Sequence, residues 1–240
     1  ADLRAAVAAI GLPCVLKTRR LGYDGRGQRF LRRHADVAAA WDALGGVPLI
    51  LEAFVRFDRE VSIVGARSTR GETRAYPIVA NTHREGILRV TVAPVRDARL
   101  QRAAECHLQR VLDHFDYAGV LTIEFFVEGG RLVANEMAPR VHNSGHWTIE
   151  GAVTSQFENH LRAIMGLPLG ETRAVGHCAM VNFIGAMPDR DRVLALPGAH
   201  HHDYGKTPRQ GRKLGHCTIV ARTATERDRA LRRLLRLVPR

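Results

Sequence analysis

The chain reads as an α+β protein built on antiparallel sheets, and three observations predict this. First, residues 49–55, 60–66, 74–79 and 87–93 form consecutive short runs in which apolar and polar side chains alternate. That is the pattern of antiparallel strands with one covered face. Second, one long amphipathic helix is expected from about Ala98 to Phe115, with Leu100, Ala104, Leu108, Val111, Leu112 and Phe115 at helical spacing. Third, strand signals return in blocks after that helix instead of alternating regularly with further helices.

The elements follow in order. Asp2 is placed to cap a helix with Leu3, Val7 and Ile10 on one face, stopped by Gly11. Cys14–Lys17 and Arg29–Arg32 read as short strands, and Asp36 as the cap of a helix carrying Val37, Trp41 and Leu44 and ended by Gly45-Gly46. After the four alternating runs and the long helix, Val120–Val127 and Leu132–Glu136 form a hairpin turning at Gly129-Gly130. A helix is expected near Ser155–Met165. Beyond Pro168 the chain is β-rich again, at Cys178–Ile184, Val193–Leu196, Ala199–Tyr204 and His216–Ala221. A last helix begins near Thr225, where Thr-Glu-Arg-Asp228 resembles a capping box.

Composition narrows the function classes. The 240 residues suffice for one large or two modest cores. No apolar run approaches the ~18 residues of a membrane span, and the N-terminus lacks the form of a signal peptide. Cys14, Cys106, Cys178 and Cys217 stand singly, without zinc or disulfide spacing, which points to a reducing, cytoplasmic setting. The net charge of +12 raises a nucleic-acid partner as the alternative from a different class. Against it, the arginines are dispersed and no aromatic–basic interleaving supplies a base-stacking surface. The expectation is a solvated, arginine-rich surface plus a site for anionic small molecules, with neither nucleic acid nor membrane as partner.

Residues 135–150 carry the densest chemistry. An apolar run, Arg131–Ala134, delivers Asn-Glu-Met-Ala-Pro-Arg-Val-His-Asn-Ser-Gly-His-Trp-Thr-Ile-Glu, so polar groups crowd into a Pro/Gly loop where a strand ends. Arg140 offers a guanidinium fork for carboxylate or phosphate oxygens, with His142, Asn143 and Ser144 beside it. His146 or Trp147 taken alone reads as structural. Just upstream, Glu124 and Glu136 lie on the two arms of the hairpin, and Asn135 is adjacent. Two carboxylates facing each other make an oxygen-rich Mg²⁺ site. A strict two-residue turn at Gly129-Gly130, however, pairs Glu124 with Asn135 and puts Glu136 on the opposite face. The metal reading therefore needs an odd-length loop or a bulge.

Three other stretches add candidates. Lys17 ends a strand and is followed by Gly22-Tyr-Asp-Gly-Arg-Gly-Gln28, a glycine-rich loop whose amides can approach phosphates. It differs from the phosphate loop of βαβ units because a strand follows. Glu52-Ala-Phe-Val55, with Glu60, has the form of an adenosine-lining strand. Lys206-Thr-Pro-Arg-Gln-Gly-Arg-Lys213 sets four cations around a turn, as a phosphate clamp would. The triple histidine His200–His202 falls in a strand, where alternating faces argue against a shared metal.

In order and together, Gly-Tyr-Asp-Gly-Arg-Gly-Gln28, Ala-Pro-Arg-Val-His-Asn-Ser-Gly-His-Trp-Thr148 and Gly-Arg-Lys-Leu-Gly-His216 resemble the motifs of the ATP-grasp family of 5-(carboxyamino)imidazole ribonucleotide synthases, from about Val15 onward. The resemblance implies an ATP-grasp fold of two α+β lobes with antiparallel sheets and a small C-terminal β-rich subdomain. It divides the chain into 1–51 (small lobe, incomplete), 52–172 (large lobe) and 173–240 (C-terminal subdomain). Members of this family carry a Rossmann-like domain of about 100 residues ahead of this point. The resemblance therefore implies a chain truncated at its N-terminus, whose own activity an assay must decide.

The implied reaction is that of a carbon–nitrogen ligase of purine biosynthesis: ATP, bicarbonate and 5-aminoimidazole ribonucleotide react through carboxyphosphate. Residues carried over for ATP are Lys17, the loop Gly22, Tyr23, Asp24, Gly25, Arg26, Gly27 and Gln28, then Glu52, Ala53, Phe54, Val55, Glu60 and His83, with Asn135 and Glu136. Glu124 and Glu136 are carried over for Mg²⁺ (or Mn²⁺). Tyr23, Arg140, His142, Asn143, Ser144, Lys206, Arg212 and Lys213 would surround the substrate. Asp24, Arg26, Arg140 and Lys206 are carried over as catalytic, with Asp24 as base. A homodimer is implied for the full-length member.

Overall fold

The computed structural model describes residues 3–20 and 27–239. They cluster as two units, residues 1–56 with 84–87 and residues 57–83 with 88–240. The first unit contains α1 (Leu3–Ile10), β1 (Cys14–Thr18), β2 (Gln28–Leu31), α2 (Asp36–Leu44) and β3 (Leu49–Ala53). The strands form an antiparallel sheet ordered β2-β1-β3. Alternation puts Cys14, Leu16 and Leu31 in one core with Val7 of α1 and Val37 and Ala40 of α2. Lys17 pairs with Gln28 on one side and Ile50 on the other, so these three share the opposite face. Asp36 is the first helical residue of α2, not its cap. Its carboxylate accepts from the Arg32 and Arg33 amides of the preceding turn, each at 2.9 Å.

The second unit is one nine-stranded sheet. Its strands are β4 (Arg59–Arg67), β5 (Thr73–Ala75), β6 (Val79–Arg84), β7 (Ile87–Ala93), β8 (Gly119–Glu128), β9 (Arg131–Ala138), β10 (His177–Ile184), β11 (Ala199–Asp203) and β12 (Lys213–Ala221). The order is β11-β12-β10-β7-β6-β4-β8-β9, with β5 also on β4. The pairings β4–β8, β8–β9, β7–β10 and β10–β12 are antiparallel. The expected long helix is α3 (Ala98–His114), capped by the Asp97 side chain on the Leu100 amide at 3.0 Å. It buries Leu100, Ala104, Leu108 and Leu112 against Val61, Ile63, Leu121, Ile123 and Phe125. Phe115, expected in that stripe, terminates the helix and is largely exposed.

The expectation of a single covered face fails in the middle of the sheet. Val64, Ala66, Val120 and Met180 are covered from the other side by Trp147 and Ala163. The covering chain runs through α4 (Thr148–Gly151) and α5 (Gln156–Ile164), which fold back over the strands. Residues 193–196, expected as strand, belong partly to α6 (Arg190–Leu194), whose Asp189 cap accepts from the Arg192 amide at 2.9 Å. The last helix, α7 (Ala224–Leu237), opens on a capping box of Thr223 and Glu226, two residues earlier than expected from Thr225.

Candidate functional site

In the second unit the site begins with an irregularity in the β8–β9 hairpin. The two-residue turn sets Glu128 opposite Arg131, and strict pairing continues to Phe125 opposite Ala134. There the register shifts, and Glu124 faces Glu136, leaving Asn135 as the extra residue. Directly opposed residues share a face, with Cβ atoms about 4.5–5.5 Å apart. Glu124 is 12% exposed in its side chain, whereas Glu136 is open to solvent. Burial pushes the Glu124 pKa up to about 7; a protonated His83 pulls it down, and Glu136 and Glu60 push it further up. A cation bound beside Glu124 would relieve the cost of ionising it. Among the described residues no group of three or more His, Cys, Asp or Glu is placed to hold a metal ion. The pair is therefore a partial shell of hard oxygens. That suits Mg²⁺, which takes one or two carboxylates and completes its shell with phosphate and water oxygens.

The neighbouring strands extend this polar face. Ser62 is opposite Glu124, and Glu60 lies opposite both Phe126 and Asn81. His83, two residues along β6 from Asn81, bonds Glu60 at 2.9 Å through Nδ1. Burial lowers the His83 pKa, but the hydrogen bond and charge of Glu60, with Glu124 behind it, outweigh burial and raise it. Lys213, at the start of β12, acts electrostatically on His83, Glu124, His142 and His146.

The loop singled out in the sequence lies on this face. His142 precedes a short 3₁₀ turn (Asn143–Gly145), and its Nδ1 accepts from the Ser144 amide at 3.3 Å. The Ser144 hydroxyl lies 2.9 Å from the same Nδ1 and accepts from Ser62 Oγ at 2.8 Å. Asn143 and Asn182 exchange side-chain amide bonds at 3.1 and 2.6 Å, and Asn182 also donates to the Leu88 carbonyl at 2.9 Å. Burial, followed by the Arg140 and Lys213 charges, pushes the His142 pKa down to about 3. His146 is pushed down to about 4, chiefly by burial. His142 Nε2 stands 3.7 Å from Glu124 Oε1, too far for a hydrogen bond. With the imidazole neutral, the contact is no ion pair. Arg140 is exposed and donates to the Val141 carbonyl at 3.0 Å. Trp147 is a core residue.

Sequence reasoning missed the residues that hold this loop. Gln156, at the start of α5, is fully buried. Its Oε1 accepts from the His142 amide at 3.0 Å, and its Nε2 donates to the His142 carbonyl at 2.7 Å and lies 3.1 Å from His146 Nδ1. A Cβ on Gly145 would stand 2.5 Å from that Oε1, so glycine is required by close approach. Ser62, Asn81 and Asn182 were missed as well. Ser62 and Asn182 are polar residues inside strand-like runs, a signal available in the sequence, whereas Asn81 lies past the 74–79 run among polar neighbours and gave none.

The basic turn follows β11. Lys206 lies 5.1 Å above the Tyr204 ring, and Arg212 donates to the Thr207 carbonyl at 3.2 Å. Tyr204 OH bonds His216 Nδ1 at 2.7 Å, His216 stacks on His202 at 4.3 Å, and His202 bonds Glu150 at 2.6 Å. The histidines of 200–202 are thus split between faces, as strand alternation required.

In the first unit Lys17 pairs with Glu52 at 2.7 Å. Ala53 and Phe54 are exposed, and the Phe54 amide donates to the Pro13 carbonyl at 3.2 Å. Gly22, Tyr23, Asp24, Gly25 and Arg26 lie outside the described residues. Gly27 has φ +75°, and a Cβ there would meet Thr18 Oγ1 at 2.6 Å, so the loop re-enters β2 through a position only glycine fits.

An antiparallel α+β sheet with paired acids on adjacent strands beneath a basic loop defines a class, and comparison with known families agrees. The ATP-grasp domain profile matches residues 1–157, and the chain belongs to the ATP-grasp family. The profile of the phosphoribosylaminoimidazole carboxylase C-terminal domain matches residues 178–230. Within the family the chain is similar to the N5-carboxyaminoimidazole ribonucleotide synthase of Pseudomonas aeruginosa, 60% identical over 91% of this chain and 61% of that protein. The crystal structure of the synthetase from Thermus thermophilus superimposes with a TM-score of 0.94 and 51% identity, covering 100% of this chain and 65% of that one. The Aspergillus clavatus synthase in complex with ADP and 5-aminoimidazole ribonucleotide superimposes with a TM-score of 0.91 at 31% identity, covering 98% and 64%. The family resemblance drawn from the motifs stands. The chain spans about three fifths of the length of the curated relatives it matches. Among the described residues no helix is long and apolar enough to cross a membrane.

Proposed function

We propose that the chain carries out ATP-dependent carboxylation of 5-aminoimidazole ribonucleotide with bicarbonate. Bicarbonate is a poor electrophile. Transfer of the γ-phosphoryl group to it yields ADP and carboxyphosphate, whose phosphate then leaves as the amino nitrogen attacks the carboxyl carbon. The observation that supports this reading most is the Asn135 bulge, which brings Glu124 opposite Glu136 beside the Arg140–Ser144 loop. Glu124 and Glu136, with Asn135 nearby, would hold Mg²⁺ (or Mn²⁺), which when bound draws charge from nucleotide phosphate oxygens.

The remaining roles belong to the chain's own groups. Lys17, Gln28, Glu52–Val55, Glu60 and His83 are assigned to ATP, together with the Gly22–Gly27 loop. Arg140, His142, Asn143, Ser144, Lys206, Arg212 and Lys213 are assigned to the anionic substrate and to charge developing on the transferring group. Tyr23, Asp24 and Arg26 keep their proposed substrate and catalytic roles, Asp24 as base. The division into 1–51, 52–172 and 173–240, a cytoplasmic location and a homodimer belong to the same proposal. The test is phosphate release from ATP and bicarbonate, with and without 5-aminoimidazole ribonucleotide. Release stimulated by the ribonucleotide and abolished in Glu136→Ala is expected. Unstimulated release from the unmutated chain would refute the reading.

A further inference from the structure

Of the 36 lysine and arginine side chains only three are lysine, Lys17, Lys206 and Lys213, so the basic turn after β11 holds two of the three. A lysine carries a compact charge on a flexible four-carbon stem, and that stem must be ordered before the charge can meet one ligand atom. Tyr204 is the residue at which the turn leaves the sheet, its amide donating to the Leu214 carbonyl at 2.9 Å. From Gly205 to Arg212 every residue is exposed, and none lies in a strand or helix. What orders Lys206 is the Tyr204 ring. The ammonium stands 5.1 Å from the ring centroid, within the range of a cation–π contact.

The ring is itself anchored. Tyr204 OH bonds His216 Nδ1 at 2.7 Å, and His216 is 1% exposed. The other ring nitrogen, Nε2, is buried with no hydrogen-bond partner among the described residues. An unpaired buried polar atom is a cost that a phenylalanine at this position would not carry. What the imidazole gives in return is its bond to the phenol. His216 is held in turn by stacking on His202 at 4.3 Å, the planes 10° apart, and His202 Nε2 bonds Glu150 of α4 at 2.6 Å. Burial pushes the His216 pKa down to about 2, so the ring stays neutral and adds no positive charge to repel Lys206. We infer that Tyr204 is a positioning residue for Lys206, its ring the seat of the ammonium, and that His216, stacked on the Glu150-bonded His202, fixes that ring. The contact and its anchor stand on the geometry alone. Their consequence rests on the proposed function: a lysine already placed needs no ordering when the anionic ribonucleotide arrives, so the ribonucleotide binds more tightly.

Two experiments decide the matter. Reductive ¹³C-methylation labels the three lysines and the N-terminal amine while keeping their charge, and the Lys206 signal is identified by its loss in Lys206→Arg. The expected result is a ring-current shift of that signal, upfield of its position in the urea-unfolded chain and abolished in Tyr204→Leu. His216→Phe keeps a ring and removes its nitrogens, and Tyr204→Phe removes the same hydrogen bond from the half-buried side. Both should reduce the shift. An unshifted Lys206 signal in the unmutated chain overturns the contact, and a shift undiminished in Tyr204→Phe removes His216 from its role.

The second experiment is a double-mutant cycle on the Kd for 5-aminoimidazole ribonucleotide, measured by titration calorimetry. Tyr204→Leu should raise that Kd about 2–5-fold, the scale of an exposed cation–π contact. In a Lys206→Met background the same substitution should leave Kd unchanged, because the residue acts only through the lysine. An equal rise in both backgrounds would refute the positioning role. An unmutated chain with the shifted lysine signal but no affinity for the ribonucleotide would refute the proposed function, and with it the effect on binding, while upholding the contact.

Discussion

Replacing Gln156 by leucine isolates the contribution of a residue that touches no proposed ligand. The carboxamide satisfies both main-chain groups of His142, accepting from its amide at 3.0 Å and donating to its carbonyl at 2.7 Å. Leucine fills a similar volume but leaves that amide buried without its partner, while the carbonyl keeps only the Gly145 amide, at 3.0 Å. An orphaned buried amide costs about 1–3 kcal/mol, so the variant should lose about that much, less whatever the added apolar burial returns. Urea denaturation in chelator measures this through the midpoint at unchanged slope. The loop should also loosen, raising KM for the ribonucleotide more than it lowers kcat. A loss below about 1 kcal/mol with an unchanged KM would refute the claim that one amide holds the loop.

Other expectations follow from the same site. Glu124→Gln should stabilise the metal-free protein. The folded pKa of about 7 lies above the ordinary 4.5, so the native carboxylate ionises at a cost, which is fully present above pH 7 and fades as pH falls toward 4.5. The gain should be about 2–3 kcal/mol near pH 8 and vanish near pH 4, measured by denaturation in EDTA; equal stability at both values would show that the carboxylate is not strained. Burial pushes His216 down to about 2 and His146 to about 4, against 6.5 for an unperturbed ring. The unfolded chain binds these protons first, so stability is lost as pH falls below about 6.5, by up to about 1.4 kcal/mol per pH unit for each ring. A flat urea midpoint across that window would contradict their neutral burial. Gly145→Ala should cost about 1–3 kcal/mol, because the new methyl group meets an amide that cannot yield without releasing His142; a neutral change in thermal midpoint would show that Gln156 is free to shift.

The sequence by itself determined the α+β class, the long helix, the hairpin and the residues that carry chemistry. Alternation, helical spacing and glycine placement are local rules, and the 135–148 cluster is contiguous in the chain. It also stated the condition on which the acidic pair depended, because a period of two makes register a matter of counting residues. Whether Asn135 bulged could not be counted. A bulge accepts one irregular pairing so that Leu132 packs with the α3 core while Ala138 is buried opposite Thr122, and that balance belongs to the packed sheet. The same holds for Ser62, Asn81, Gln156 and Asn182. They are far apart in sequence, two of them (Ser62 and Asn182) among apolar neighbours and two not, and all acquire meaning only when folding leaves each facing a partner that water can no longer reach. Chemistry was legible where it lay on one loop; the network that aims it was decided by tertiary structure, because buried polar groups must find partners wherever the fold puts them.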